Sequence, residues 1–169
     1  MGRKIYISDG QFDLAEYICE TDAEANYACW QDIDTQRGYN YKTDFTLEEF
    51  KSSPNRARFR AVAVRKSDGA VVGTVSLSPE GSLPDLAIML YKPYRGNGYS
   101  TPVFALALQY CFEHFGFEYI YAGCYEGNVK SRKMLANCGF VPHPEGNCDE
   151  THFEDGTPII QYDFVKYRI

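Results

Sequence analysis

Residues Tyr91–Thr101 read Y-K-P-Y-R-G-N-G-Y-S-T. An apolar run, Leu86-Ala87-Ile88-Met89-Leu90, precedes them, and an amphipathic one, Val103–Phe115, follows. Strand, glycine turn and helix start, in that order, aim bare backbone N–H groups at an anion. Gly96 and Gly98 let the backbone approach a ligand closely and visit positive φ. Pro102 belongs in a first helical turn and carries no N–H. The donors facing a phosphate are therefore expected from Gly96 to Thr101, with Arg95 adding a forked positive charge.

Working outward, the chain of 169 residues is read as one domain, 1–169, with a real core. A hydrophobic fraction of 44% and an aromatic fraction of 15% indicate a globular protein. The net charge of −6 argues against bulk nucleic acid as a partner but leaves a local phosphate site open. The first residues are polar, no apolar run nears membrane-span length, and a cytoplasmic location is expected. The six cysteines form no C-x-x-C pair, so free buried thiols are expected. Cys138, His143, Cys148 and His152 match no zinc spacing, and no metal is expected.

Ile5–Ser8 reads as a strand, and Phe12–Asp32 as two helices broken near Glu20–Asp22. Gln36–Phe45 reads as a polar loop, and Thr46 with Glu49 as the capping box of a short helix. Phe59–Lys66 and Ala70–Leu77 flank Ser67-Asp68-Gly69 as a hairpin. The continuously apolar Leu86–Leu90 suits a central strand covered on both faces. Phe104, Leu108, Cys111 and Phe115 then mark a helix that ends at Gly116. A strand at Tyr119–Cys124, a helix from Asn128 to Gly139, and strands at Phe140-Val141 and Ile159–Val165 complete the chain. The fold class is α+β, a mixed, mainly antiparallel sheet of six to seven strands with flanking helices. The pair around the central helix is parallel because its crossover is helical.

Ser131 interrupts an apolar face formed with Met134, Leu135 and Cys138, so its hydroxyl needs a partner. That partner is either a ligand or its own helix carbonyl. Asn128 caps the helix, contacts a ligand, or does both. Asp85 opens the central strand and Glu126 follows its partner strand; either carboxylate suits a general base facing a cleft. A dinucleotide fingerprint lacks its third glycine, since position 101 is Thr, and no G-K-[S/T] follows to make a P-loop.

Two motifs together resemble the GCN5-related N-acetyltransferase (GNAT) superfamily. Arg95-Gly96-Asn97-Gly98-Tyr99-Ser100 is similar to its Gln/Arg-x-x-Gly-x-Gly/Ala signature. Asn128-x-x-Ser131-x-x-x-Leu135-x-x-x-Gly139-Phe140 is similar to the helix and turn of the RimJ/RimL-like branch. The likeness extends over nearly the whole chain. It implies a splayed parallel pair that binds acetyl-CoA, with the backbone of Ile88 and Leu90 along the pantetheine arm. It further implies the pyrophosphate at Arg95, Gly96, Asn97, Gly98, Tyr99 and Ser100, and Asn128 and Ser131 at the arm and the sulfur. The implied reaction is direct attack of an acceptor amine on the thioester. Three departures stand out: Ser100 replaces Gly or Ala, Leu135 replaces a tyrosine, and Asn137 replaces a lysine for which Arg132 or Lys133 substitutes. Acceptor choice is expected from the N-terminal helices, Trp30, Tyr39 and Tyr41, and the loop carrying Glu145, Asp149, Glu150, Glu154 and Asp155. A homodimer, a non-catalytic acyl-CoA sensor and a nucleotide-binding oxidoreductase stay open at this stage.

Overall fold

The computed structural model of the chain describes residues 2–169. Strand β1 (Ile5–Ser8) turns on Asp9, whose carboxylate accepts from the Gln11 and Phe12 amides, into β2 (Phe12–Glu16). The sequence reading put this second segment in a helix. Phe12 and Leu14 are instead fully buried on one face of a strand, a period-2 pattern too short to stand out.

Helix α1 (Cys19–Gln31) runs unbroken through Glu20–Asp22, where a break was expected. Asp22 holds the start together: its carboxylate accepts from the Ile18 amide and from both Arg3 guanidinium nitrogens. The true break is Asp32, which caps α2 (Ile33–Tyr39) by accepting from the Thr35 amide. The first four residues of the expected Gln36–Phe45 loop are thus helix, ended by Asn40 in the left-handed region at φ 48°. Helix α3 (Leu47–Ser52) has the Thr46/Glu49 capping box.

Strands β3 (Phe59–Arg65), β4 (Val71–Leu77) and β5 (Leu86–Leu90) complete an antiparallel meander in the order β1-β2-β3-β4-β5. After the glycine turn come α4 (Ser100–Phe115), β6 (Tyr119–Tyr125) and α5 (Val129–Asn137). Short β7 (Val141–Pro142) and β8 (Cys148–Thr151) both pair with the long β9 (Pro158–Tyr167), which also pairs with β6. The described residues therefore hold nine strands in two sheets, more than the six to seven expected. The extra ones are β2 and the polar β8, whose Cys-Asp-Glu-Thr offers no apolar alternation.

The two sheets touch at one parallel bridge, Asp85 with Tyr121, where the Tyr121 amide donates to the Pro84 carbonyl at 2.7 Å. Beyond it β5 and β6 part, so their carboxyl ends frame an open fork. One face of the meander packs on α4: Leu14, Ala61, Val75 and Leu86 meet Val103, Phe104, Ala107 and Leu108. Each large side chain fully buried here contributes about 1.5–3 kcal/mol. The opposite face carries α1, where Cys29 packs with Met89 and Tyr91. No helix among the described residues is long and apolar enough to cross a membrane.

Candidate active site

The glycine turn leaves β5 at its open end. Gly96 and Gly98 sit at φ 78° and 73°, where an L side chain is strained, and nothing lies within 4 Å of the place a Cβ would occupy. Among the described residues, no protein group accepts from the backbone amides of Gly96 through Thr101; the next amide to be engaged is Val103, which bonds Tyr99. Asn97 stiffens the turn by donating to the Tyr94 and Arg95 carbonyls at 3.1 and 3.2 Å. The Tyr99 ring packs edge-on against Phe12 while its hydroxyl accepts from Arg65, so this residue offers the turn only its N–H. Six consecutive residues with five or more free donors at a helix start form an anion cradle built from backbone.

Arg95 corrects the expectation placed on it. Its guanidinium turns inward: Nε donates to the Leu90 carbonyl (3.0 Å), Nη1 to Asp32 Oδ2 (2.7 Å) and Nη2 to Thr35 Oγ1 (2.7 Å). Asp32 is 9% exposed and also takes Lys92 at 3.2 Å. Partial burial pushes the Asp32 carboxyl up, but the bonds from Arg95, Lys92 and the Thr35 amide together outweigh it and hold it at about 2. Arg95 is thus a strut that fixes the turn to the α1–α2 corner, and the groups of the turn left free for a ligand are its amides. The Asp32-x-x-Thr35 cap was visible in the sequence and signals that corner.

Along β5, Tyr91 donates its N–H to Val72 of β4 and Asp85 accepts from Ser78. Alternation then turns the N–H and C=O of Ile88 and Leu90 toward the fork, as expected for a strand edge open to an extended ligand. Their carbonyls are already engaged, Ile88 by the Tyr39 hydroxyl at 2.6 Å and Leu90 by Arg95. The two amides face the fork. Tyr39 owes its place to α2, which the sequence reading left as loop.

On the other prong, Asn128 caps α5, its Oδ1 accepting from the Ser131 amide at 3.2 Å. Ser131 Oγ is half-buried and has no partner among the described residues, so it is not bonded back to its helix. Cys138 Sγ lies 3.7 Å from the Thr101 carbonyl and ties the end of α5 to the start of α4. Arg132, expected at the cofactor, instead lies with its guanidinium 4.9 Å from the centre of the Tyr162 ring on β9.

The two carboxylates proposed as bases separate. Asp85 stands at the bridge where the prongs meet. Loss of water around its carboxyl and, second, repulsion from Asp163 raise it to about 7, although the residue as a whole is exposed at the cleft mouth, which tempers the first of these. Asp163, on β9, pairs with His143 Nδ1 at 2.9 Å; the sequence points to His143 only within the rejected zinc set, and not to Asp163. Glu126 is turned to β9, where Oε2 accepts from the Ile160 amide at 3.4 Å. It serves the strand end there, and the side chain is otherwise exposed. The acidic loop is also partly consumed: Glu154 holds Arg37 at 3.0 Å through two bonds, and Glu150 accepts from Tyr125 and Asn40.

Across β5 from the α4 face lies a cavity of about 180 Å³ walled by α1, α2 and β3–β5. Trp30 and Tyr39 line it, while Tyr41, 48% exposed, packs edge-on to Trp30 outside. All six cysteines are free thiols, and no cluster of His, Cys, Asp and Glu among the described residues could hold a metal.

A backbone anion cradle, a forked strand pair and a cavity reaching the fork from the other side define an acyltransferase-type fold. The acetyltransferase (GNAT) domain profile matches residues 14–141, and the chain belongs to that family. It is 23% identical over 167 residues to the uncharacterized N-acetyltransferase YoaA of Bacillus subtilis, covering 92% of each chain. The spermidine N-acetyltransferase of Vibrio cholerae, solved with CoA and spermine, superposes with a TM-score of 0.81 at 18% identity, over 94% of this chain and 96% of that one. A ribosomal-protein-S5-alanine acetyltransferase of Vibrio fischeri gives 0.72 at 22% identity over 95% of each.

Proposed function

We propose that this chain transfers an acetyl group from acetyl-CoA to a primary amine, by direct attack, in the manner of the RimJ/RimL-like branch. The observation that carries the reading is the row of free amides from Gly96 to Thr101 beside a strand edge whose Ile88 and Leu90 amides face the fork. These residues fit the cofactor: the turn would hold the pyrophosphate, and the two strand amides the pantetheine arm. When bound, acetyl-CoA supplies a thioester carbonyl carbon open to an amine. A strand amide at the fork polarises the carbonyl oxygen, costing little reorganisation during attack. Asp85, held near neutrality, takes the proton that an ammonium must lose. Ser131 Oγ, without a partner among the described residues, is suited to donate a proton to the departing sulfur. Six free thiols suit a cytoplasmic setting, where disulfides are rare.

The test is thermal denaturation with acetyl-CoA, CoA, NAD and ATP, followed by free-thiol release across an amine panel. Stabilisation by CoA and acetyl-CoA alone, with turnover, is the expected result. No stabilisation by either would sink the reading, and stabilisation without turnover on any amine would leave a sensor. In the same assay Ser131→Ala should lower kcat about tenfold or more with little change in CoA affinity.

A further inference from the structure

The cavity opposite α4 has a charge pattern that the reaction alone does not require. Arg60, Ser76 and Ala87 stand in one row across β3, β4 and β5, and Asp85 follows two residues along β5 on the same face. A second cavity of about 310 Å³ shares Ala57, Ser76 and Ala87 with the first and reaches Asp85. The two cavities adjoin, with a guanidinium on the wall of one and a carboxylate on the wall of the other.

Among the described arginines without an acidic partner (Arg56, Arg58, Arg60, Arg132 and Arg168), Arg60 is the one that lines the cavity. Arg3, Arg37, Arg65 and Arg95 each hold a carboxylate. Arg60 lies flat over the Tyr17 ring at 3.8 Å, at the groove wall, and pairs with no acidic side chain among the described residues. Stacking on an aromatic face leaves the edge of a guanidinium free for forked hydrogen bonds. Two further polar groups close by are unsatisfied. Asn26, 1% exposed, lines the same cavity, and its Oδ1 has no partner; the buried Tyr91 hydroxyl has none either. Native interiors leave few such groups, and the one on the cavity wall, Asn26 Oδ1, points to a polar ligand. Thr74 and Ser76 add hydroxyls to the floor.

We propose that the acceptor is an amine that also carries a carboxylate, an amino acid or close analogue, with its carboxylate on Arg60 and its amine toward Asp85. The inference rests on the acetyl-transfer reading above. A nitrogen–carbon bond forms to the acetyl group and the carbon–sulfur bond breaks. The ammonium gives up one proton through Asp85 to solvent and a second from the attacking nitrogen, which leaves with CoA as its thiol. A diamine would set its second ammonium against Arg60, so polyamines are poor acceptors here.

Two measurements on the full chain test this. The first is saturation-transfer NMR with α-amino acids and with ω-amino acids of two to six carbons, their terminal amides, and diamines of matched length. The second is kcat/KM for the same panel by thiol release. The acids should exceed their amides and the diamines at least tenfold. In Arg60→Gln that preference should collapse toward one through KM, while Arg60→Lys should restore part of it. Amides or diamines performing as well as the acids, or an Arg60→Gln chain with the preference intact, would overturn the proposal. Thermal stabilisation by CoA, read on the same samples, separates the two readings. With CoA binding present and no preference for acids, only this inference falls. With CoA binding absent, the acetyl-transfer reading falls, and selective NMR binding of acids, lost in Arg60→Gln, still supports the acid-binding groove.

Discussion

The two sides of β5 hold ligands by different means. Facing α4, the glycine turn offers backbone amides and almost no side chain; facing α1, the groove offers Arg60, Asn26, Thr74 and Ser76 from three separate segments. A backbone cradle recognises a phosphate whatever else the ligand carries. A side-chain groove discriminates, because each position can change without disturbing the sheet. The difference teaches where to look for constancy and where for choice. The donor half is built into the chain's conformation, and the acceptor half is written on its surface.

Four substitutions would break or sharpen that contrast. The largest effect is expected of Asp85→Asn, which should lower kcat/KM about 100-fold at pH 8 and erase the acid inflection near pH 7. The sign on stability is opposite. A carboxyl raised in the folded state stabilises the chain at low pH and loses that contribution as pH rises through about 7, so Asp85→Asn should raise Tm at pH 8 and leave it unchanged at pH 4. An unaltered pH–rate profile would remove Asp85 from the chemistry.

Next is Arg95→Met, which strands Asp32, Thr35 and the Leu90 carbonyl. A cost of about 2 kcal/mol is expected, at the low side for an ion pair with one partly exposed partner, or roughly 4–8 °C in Tm at pH 7. Asp32 is depressed to about 2, so the pair's contribution is full above about pH 4 and fades as pH falls toward 2. The gap between the two chains should narrow over that range. A large loss of CoA affinity with no loss of Tm would restore the phosphate role to this side chain.

Gly98→Ala comes third. At φ 73° the added Cβ meets open space, so the penalty in the free chain is the left-handed strain of about 1–2 kcal/mol. Calorimetric titration with CoA should show affinity weakened about tenfold, with acceptor binding unmoved. The smallest effect belongs to Glu154→Gln. Its bonds to Arg37 are at the surface, and Tm should stay unchanged within error.

Much of this architecture is legible in single segments. The hairpin, the capping box at Thr46, the glycine turn and the Asn128 cap are local devices whose residues are adjacent or three apart, and each holds in the structure. What resists reading is whatever depends on partners distant in sequence. Phe12–Glu16 is a strand because β1 and β3 lie on either side of it. Polar β8 exists because β9 presents an edge to it. Arg95 carries the residue type of a phosphate clamp, yet Asp32, sixty-three positions earlier, claims its guanidinium. Arg60 and Asn26 are unremarkable until the sheet and α1 place them on one cavity.

The solitary Asp85–Tyr121 bridge has a consequence for how the molecule comes together. Strands β3, β4 and β5 pair across short turns, a low-contact-order arrangement that zips quickly, whereas β2 meets β3 only across the three helices between them. The second sheet has β9 at its centre, so β6 must wait about forty residues for its hydrogen-bonding mate. Hydrogen exchange should therefore resolve two cooperative blocks with a fast-exchanging seam at the Asp85 and Tyr121 amides, the β3–β4–β5 hairpins maturing first and the fork appearing only once β9 has docked.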